Sequence, residues 1–321
     1  MNIPTLCAPA YELGEYADLV SELPELETAP QIAAELMAPN AGFVTYRWSD
    51  ASVVELMAVA VRRTLVGAGV RGDEIDMVLL ATDSLPADRS AHHDVAELLD
   101  EAGMTGATVV TVGLMDCATA MVALGTAASL VRDGTARNVM VLSGDLADHS
   151  TGGQRVVAGG AAIASDGAAS ALVSASAPGL PLLAMAHHAA PEHEEEGGSP
   201  QRRLTSRMNA YRDLFDRLSA RHPIRPSETL VLPSNFARNV MRMYLGHIGF
   251  STERIALDGV GRIAHCQGSD PLINLADRLA EPKPAESVGD PDALVLLGAG
   301  ISHLAAVLLD AKPLSAREGS S

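Results

Sequence analysis

One order of elements runs through this chain twice, and that repetition limits its possible folds more than any single motif does. The first half opens on an amphipathic helix, SVVELMAVAVRRTLVGAG, with Asp50 in place to cap it. A strand (IDMVLLAT), a helix (HDVAELLDEAG) and a second strand (TVVTVG) follow. Then come a turn at Cys117 with its alanine-rich helix, a strand (NVMVLSGD), and small-residue strands around IASDGAASALVSAS. The second half repeats the order with RMNAYRDLFDRLSAR, TLVLPSN, FARNVMRMYLGHIG and RIALD. After a loop, GVGRIAHCQGSD, it closes with the helix PLINLADRLA and the strands ALVLLGAG and HLAAVLLD. Apolar strands alternating with helices imply mostly parallel α/β sheets covered on both faces. A loop-rich crossover over 180–205 divides the chain into halves at 1–178 and 179–321.

The repeat has a chemical consequence. Cys117 lies between the second strand and third helix of its half, and His265 between the equivalent elements of the other. If the halves pack about a pseudo-twofold axis, the two loops face each other. A cysteine at a helix start sits at the positive end of the helix dipole, which favours the thiolate nucleophile, and a histidine beside it completes the pair. A small buried core thiol is the alternative for Cys117 from its own stretch alone.

Charge and composition remove several classes. A net charge of −17 argues against nucleic acid or an anionic membrane as partner. No uncharged apolar run reaches the roughly 18 residues of a membrane span, and the start lacks a basic signal-peptide end, so the expected location is cytoplasmic. Three cysteines, Cys7, Cys117 and Cys266, are too few and scattered for a disulfide framework or a CxxC metal site. His187, His188 and His193 near Glu194, Glu195 and Glu196 lack helical spacing and read as a solvated loop rather than a metal tract. No metal or cofactor is expected.

Several ordered motifs, spanning about residues 50–310, resemble the thiolase superfamily and its ketoacyl-ACP synthase III-like branch. DCATAMVALGTAASLVRDGTARNVMVLSGD is similar to the nucleophile segment, in which the cysteine opens a buried central helix. SDGAASALVSAS is similar to the GDGA segment, and LPSNFARNV stands where a PHQAN-type motif is usual. LVLLGAGISHLAAVLL is similar to the closing glycine turn. The resemblance implies a five-layered αβαβα fold of two pseudo-symmetric halves, the helices after Cys117 and Pro271 forming the central layer. It also implies a homodimer that joins sheets across a strand edge exposed near the end of the first half.

Two departures bear on the reaction. Ser234 replaces the usual PHQAN histidine, and His265 falls where synthase III enzymes carry an asparagine and thiolases a histidine. A decarboxylating synthase uses two donors for the enolate, each worth about 3 kcal/mol in a transition state. A neutral hydroxyl at Ser234 is a poor substitute. The resemblance therefore implies an acyltransferase, moving an acyl group from an acyl carrier protein (ACP) or CoA thioester through Cys117 to a hydroxyl, amine or carrier-bound acceptor. Bacterial secondary metabolism is the setting in which such enzymes occur. A decarboxylative C–C bond-forming ketosynthase is the first alternative. The second is a non-catalytic partner subunit of a heterodimer, against which the retention of Cys117 with His265 counts.

Other residues receive narrower expectations. Asp270, followed by Pro271, either orients His265 as the third member of a triad or caps the following helix. Ser234, a candidate catalytic residue, and Asn235 are expected to line the acceptor side of the pocket, with a helix cap as the alternative for Asn235. Gly300 is expected to add an oxyanion amide to that of Cys117, and His303 to form pocket wall. Cys266 is assigned to packing. Arg238 and Arg242, four apart on one helix face, are expected to dock an acidic carrier protein, or else to be a solvated face. Arg202, Arg203 and Arg207 add positive charge nearby.

Overall fold

The computed structural model describes residues 3–85, 91–189, 199–281 and 289–314. The first half contains β1 (Thr5–Leu13), the hairpin of β2 (Tyr16–Leu19) with β3 (Thr45–Trp48), and between these strands the short helices α1 (Glu25–Thr28) and α2 (Pro30–Leu36). It continues with α3 (Val53–Ala68), β4 (Met77–Ala81), α4 (Ala91–Glu101), β5 (Thr108–Val112), α5 (Thr119–Asp133) and β6 (Asn138–Asp145). A small insertion of α6 (Ala147–Ser150), β7 (Val156–Val157) and β8 (Ala162–Ile163) leads to β9 (Gly167–Ser174). The second half supplies β10 (Leu180–Ala189), α7 (Pro200–Ser219), β11 (Thr229–Pro233), α8 (Arg238–His247), α9 (Gly259–Ile263), α10 (Asp270–Ala280), β12 (Ala293–Ala299) and β13 (His303–Asp310).

Nine strands form one sheet in the order β11-β12-β13-β10-β1-β9-β6-β4-β5. The first-half order outward from β1 matches the second-half order outward from β10, which is the repeat expressed as topology. The halves meet where β1 pairs with β10 through two residue pairs, Thr5 with Pro181 and Leu6 with Leu180.

Between the two lobes lie α5 and α10. Helix α5 packs on β4, β6 and β9 of one half and on β10, β12 and β13 of the other. Helix α10 touches β1 and β9 on one side, β11 and β12 on the other. A helix with sheet on both faces must be apolar all round, and Met121, Leu124, Ala127 and Val131 of α5 are fully buried. Truncating Leu124 to alanine in such packing costs about 2–5 kcal/mol. Outside, α3 covers β1, β6 and β9, and α7 covers β10 and β13. The result is five layers, with α5 and α10 at the centre.

Local readings of the sequence needed three corrections. Ser52, not Asp50, caps α3, in a reciprocal box with Glu55: Ser52 Oγ accepts from the Glu55 amide at 3.3 Å, and Glu55 Oε2 accepts from the Ser52 amide at 2.7 Å. The expected strand RIALD is reduced to a single bridge between Ile255 and Val231. The GVGRI segment, expected as loop, is the one-turn helix α9.

In the SDGA segment, Asp166 ties the insertion to the core. Its carboxylate pairs with Arg155 at 2.7 Å and accepts from the amides of Ala147 and Ser49. No helix among the described residues is long and apolar enough to cross a membrane.

Candidate active site

Cys117 stands in a single 3₁₀ turn, Asp116–Ala118, between the end of β5 and the start of α5. Leu114 and Asp116 reach it through left-handed backbone, φ 62° and 49°. Such conformations cost free energy in residues with a Cβ and persist where surrounding contacts enforce them. Here the enforcing contact is Ser302, whose amide and hydroxyl both donate to Asp116 Oδ2, at 2.9 and 2.6 Å. The closing turn comes this near because two of its residues, Gly298 and Gly300, carry no Cβ. A Cβ at Gly298 would lie 2.6 Å from the Cys117 carbonyl oxygen, and one at Gly300 would overlap the Asp116 side chain.

His265 is held by a second strained loop, with Ala264 at φ 49° and Gln267 at φ 50°. Its amide donates to the Ile163 carbonyl at 2.9 Å, and its own carbonyl accepts from the Ser165 amide at 2.8 Å. Phe236 meets the imidazole edge-on, with ring centroids 5.0 Å apart. Thus fixed, Nε2 lies 3.1 Å from Cys117 Sγ and Nδ1 lies 2.5 Å from Asp270 Oδ2.

Asp270 opens α10, but its carboxylate turns away from that helix's free amides. It accepts from the Cys266 amide at 2.7 Å, the Asn235 amide at 2.7 Å, the Asn235 side chain at 3.2 Å, and His265. Four donors around a fully buried carboxylate replace the water it has lost. The ion pair dominates His265. Burial alone would lower its pKa, but the Cys117 sulfur and the Asp270 carboxylate outweigh burial and raise it to about 10.

The remaining expected site residues are placed as follows. Ser234 is fully buried, and its Oγ accepts the Ala299 amide at 3.0 Å, so its hydroxyl joins β11 to β12. Asn235 caps no helix. It braces Asp270 and accepts from Asn274 Nδ2 at 3.0 Å. Gly300 abuts Cys117, but its amide donates to the His303 carbonyl at 2.9 Å; the expected oxyanion donor is occupied in a hairpin turn. His303 begins β13, its Nδ1 paired with Ser302 Oγ at 2.9 Å. Cys266 is buried with its sulfur nearest the Ile263 carbonyl, and desolvation pushes its thiol pKa well above the usual value. Arg238 is half-buried and donates to the Leu257 carbonyl, which leaves Arg242 as the exposed member of that pair. His193 and Glu194–Glu196 lie outside the described residues.

Asp116 had no signal in the sequence reading, and Arg207, expected to add surface charge, is instead buried. Asp116 precedes the nucleophile and grips Ser302, and Arg207 of α7 donates to the carbonyls of Gly300 and Ile301. Both act by reaching distant backbone, which no local pattern encodes.

The fold is thiolase-like, of the kind seen in solved ketoacyl synthase III-type structures. The family profile described as 3-oxoacyl-[acyl-carrier-protein] synthase III matches residues 114–191, the stretch holding Cys117 and the SDGA segment. Among solved structures, OleA from Xanthomonas campestris with acetamide bound is similar, with a TM-score of 0.76 and 15% identity over 96% of this chain and 98% of that one. ChlB3, described as an acyltransferase, gives 0.76 and 18% over 96% and 97%. The 3-oxoacyl-[acyl-carrier-protein] synthase III of Aquifex aeolicus gives 0.73 and 16% over 96% and 99%. No curated protein sequence matches the chain.

Proposed function

We propose that the protein is a ketoacyl synthase III-like acyltransferase. It takes an acyl group from an ACP or CoA thioester onto Cys117 and passes it to a hydroxyl, amine or carrier-bound acceptor, in a pathway of bacterial secondary metabolism. The observation that carries this reading is the hydrogen-bonded line Cys117–His265–Asp270.

In the first step the Cys117 thiolate attacks the thioester carbonyl. The departing thiolate takes the proton from His265 Nε2, leaving an acyl-cysteine and a neutral imidazole. In the second, the acceptor's O–H or N–H gives its proton to Nε2 as it attacks the acyl carbon. The Cys117 thiolate leaves and the imidazolium is restored. Asp270 holds the ring's orientation and balances its charge throughout. Decarboxylative condensation would require two donors on an enolate oxygen, and the buried Ser234, whose Oγ accepts the Ala299 amide, offers one neutral hydroxyl in place of the usual histidine.

Charge distribution supports a carrier as donor. Over residues 199–262 there are eleven arginines against five carboxylates, in a chain of net charge −17. Exposed Arg202 and Arg242 lie in that region. An acidic carrier would be steered to it. The condensing alternative is favoured by the description of the matching family profile.

The test is to incubate the protein with acyl-ACP and acyl-CoA thioesters and look for acyl mass on Cys117. Malonyl thioester is then added to the loaded enzyme. The acyltransferase reading expects little CO₂ and little β-ketoacyl product. Condensation at about 1 per second or faster would replace it with the ketosynthase reading.

A further inference from the structure

Beside the reacting pair lies a cavity of about 260 Å³. Phe236, which packs on His265, and Gly300, which abuts Cys117, form its inner end. Ala158, Gly159, Ala161, Val240, Tyr244 and Ile301 complete the wall, in which Arg207 is the one charged side chain.

Arg207 is 8% exposed. Nη1 donates to the Ile301 carbonyl at 2.7 Å, Nη2 donates to the Gly300 carbonyl, and the guanidinium lies 5.6 Å from the centroid of the Tyr211 ring. A guanidinium has five N–H donors; these two carbonyls and the Tyr211 side chain, with which it also hydrogen-bonds, leave two over. Among the described residues no carboxylate lies within ion-pair distance of it, in contrast to Arg155, whose buried guanidinium meets Asp166. Burying a cation with unused donors and no counter-ion is costly. The planar fork of an arginine suits the two oxygens of a carboxylate. Its grip on Gly300 puts it too near Cys117 for the phosphate at the far end of an extended pantetheine arm.

We propose that this cavity receives a carboxylate carried by the substrate, bound by Arg207 beside Cys117. The inference rests on the acyltransferase reading for its reaction, and it narrows the substrate to an anionic class. Two sources share this chemistry: the acyl group, as the half-thioester of a dicarboxylic acid, or the acceptor, as an amino or hydroxy acid.

Two arms separate them. The first compares acylation of Cys117 by succinyl-pantetheine with its neutral amide, succinamoyl-pantetheine. The second compares transfer from butyryl-enzyme to serine with transfer to serinamide. One arm should show the charged substrate preferred by about tenfold or more. Arg207→Gln should bring that ratio to about one, and Arg207→Lys should restore part of it. Absence of a charged preference in both arms, or its survival in Arg207→Gln, overturns the proposal. A third measurement needs neither variant nor turnover: protection of wild-type Cys117 from iodoacetamide by succinate and by succinamide. Saturable protection by the dianion alone supports the cavity's role, and equal or absent protection refutes it. If no thioester ever acylates Cys117, the acyltransferase reading falls while this measurement still decides the cavity.

Discussion

Asn235 holds Asp270 twice, through its main-chain amide at 2.7 Å and its side-chain amide at 3.2 Å. Removing the acceptor and removing this brace should therefore differ in degree. Asp270→Asn faces an amide toward amide donors, and Cys117 acylation should drop by about a hundredfold or more. Asn235→Ala keeps the main-chain bond and should lose only about tenfold, in line with one hydrogen bond lost at Asp270 and one at Asn274. Stopped-flow acylation of the two variants checks the order, and a reversed order removes Asp270 from its positioning role.

Replacing His265 by alanine should slow acylation by the factor of about a hundred to ten thousand that a general base contributes. The same variant has a signature in stability. His265 is raised to about 10 from an ordinary value near 6.5, so its charged form stabilises the fold fully below about pH 6.5. That contribution is lost as pH rises through about 10. Thermal unfolding of the wild type should weaken across this alkaline window more steeply than that of His265→Ala. Parallel curves would show that the imidazolium is not held by the fold.

Asp145 offers a test with the same sign for a carboxylate. Burial raises its pKa to about 7, and its Oδ1 accepts from the Asp83 amide and the hydroxyls of Ser84 and Thr82. The folded state keeps a proton that the unfolded chain releases near pH 4, so stability falls between about pH 4 and 7 and the cost is complete above. Asp145→Asn preserves the accepting oxygen without the charge. Its melting temperature should match the wild type near pH 4 and exceed it by a few degrees near pH 8. A difference that does not vary with pH contradicts the assignment.

Ser234→Ala separates a strand tie from a catalytic hydroxyl. It leaves the Ala299 amide without its acceptor and should cost about 1–3 kcal/mol of stability. Acyl transfer per folded molecule should change little. A large fall in turnover with an unchanged melting point would return Ser234 to the chemistry.

The edge strand β5 and the turn after it expose apolar groups, with Val110 at 40% and Leu114 at 91%. An unpaired apolar edge of this kind invites pairing with a second copy. Light scattering should find a homodimer, and Leu114→Asp should shift it toward monomer. A wild-type monomer at micromolar concentration sinks this expectation.

The positions of Cys117 and His265 were readable because both follow from a pattern repeated along the chain: strand, turn, buried helix. The five layers were implied by the family resemblance, while the repeat alone pointed to covered, mostly parallel sheets. What could not be read was which distant amide each polar side chain would find. Asp270 followed by Pro271 has every local mark of a cap, yet its carboxylate turns to Asn235, Cys266 and His265. Gly300 was misjudged for the same reason: a hairpin carbonyl claims its amide. RIALD shrank to a bridge although its composition suits a strand, since only Ile255 pairs with β11.

Strand β1 is synthesised well before its partners β9 and β10, where Thr5 meets Ser174 and Pro181. A ribosome must deliver most of the first half before β1 can pair. Contacts of such long sequence separation are slow to form. Until then the nascent chain carries an apolar strand and an open sheet edge, a state prone to misassembly. The thiol and its imidazole come together later still, after a further stretch has emerged. Recovered acyl-transfer activity in a refolding experiment would therefore time the last event of assembly, well after most secondary structure has appeared.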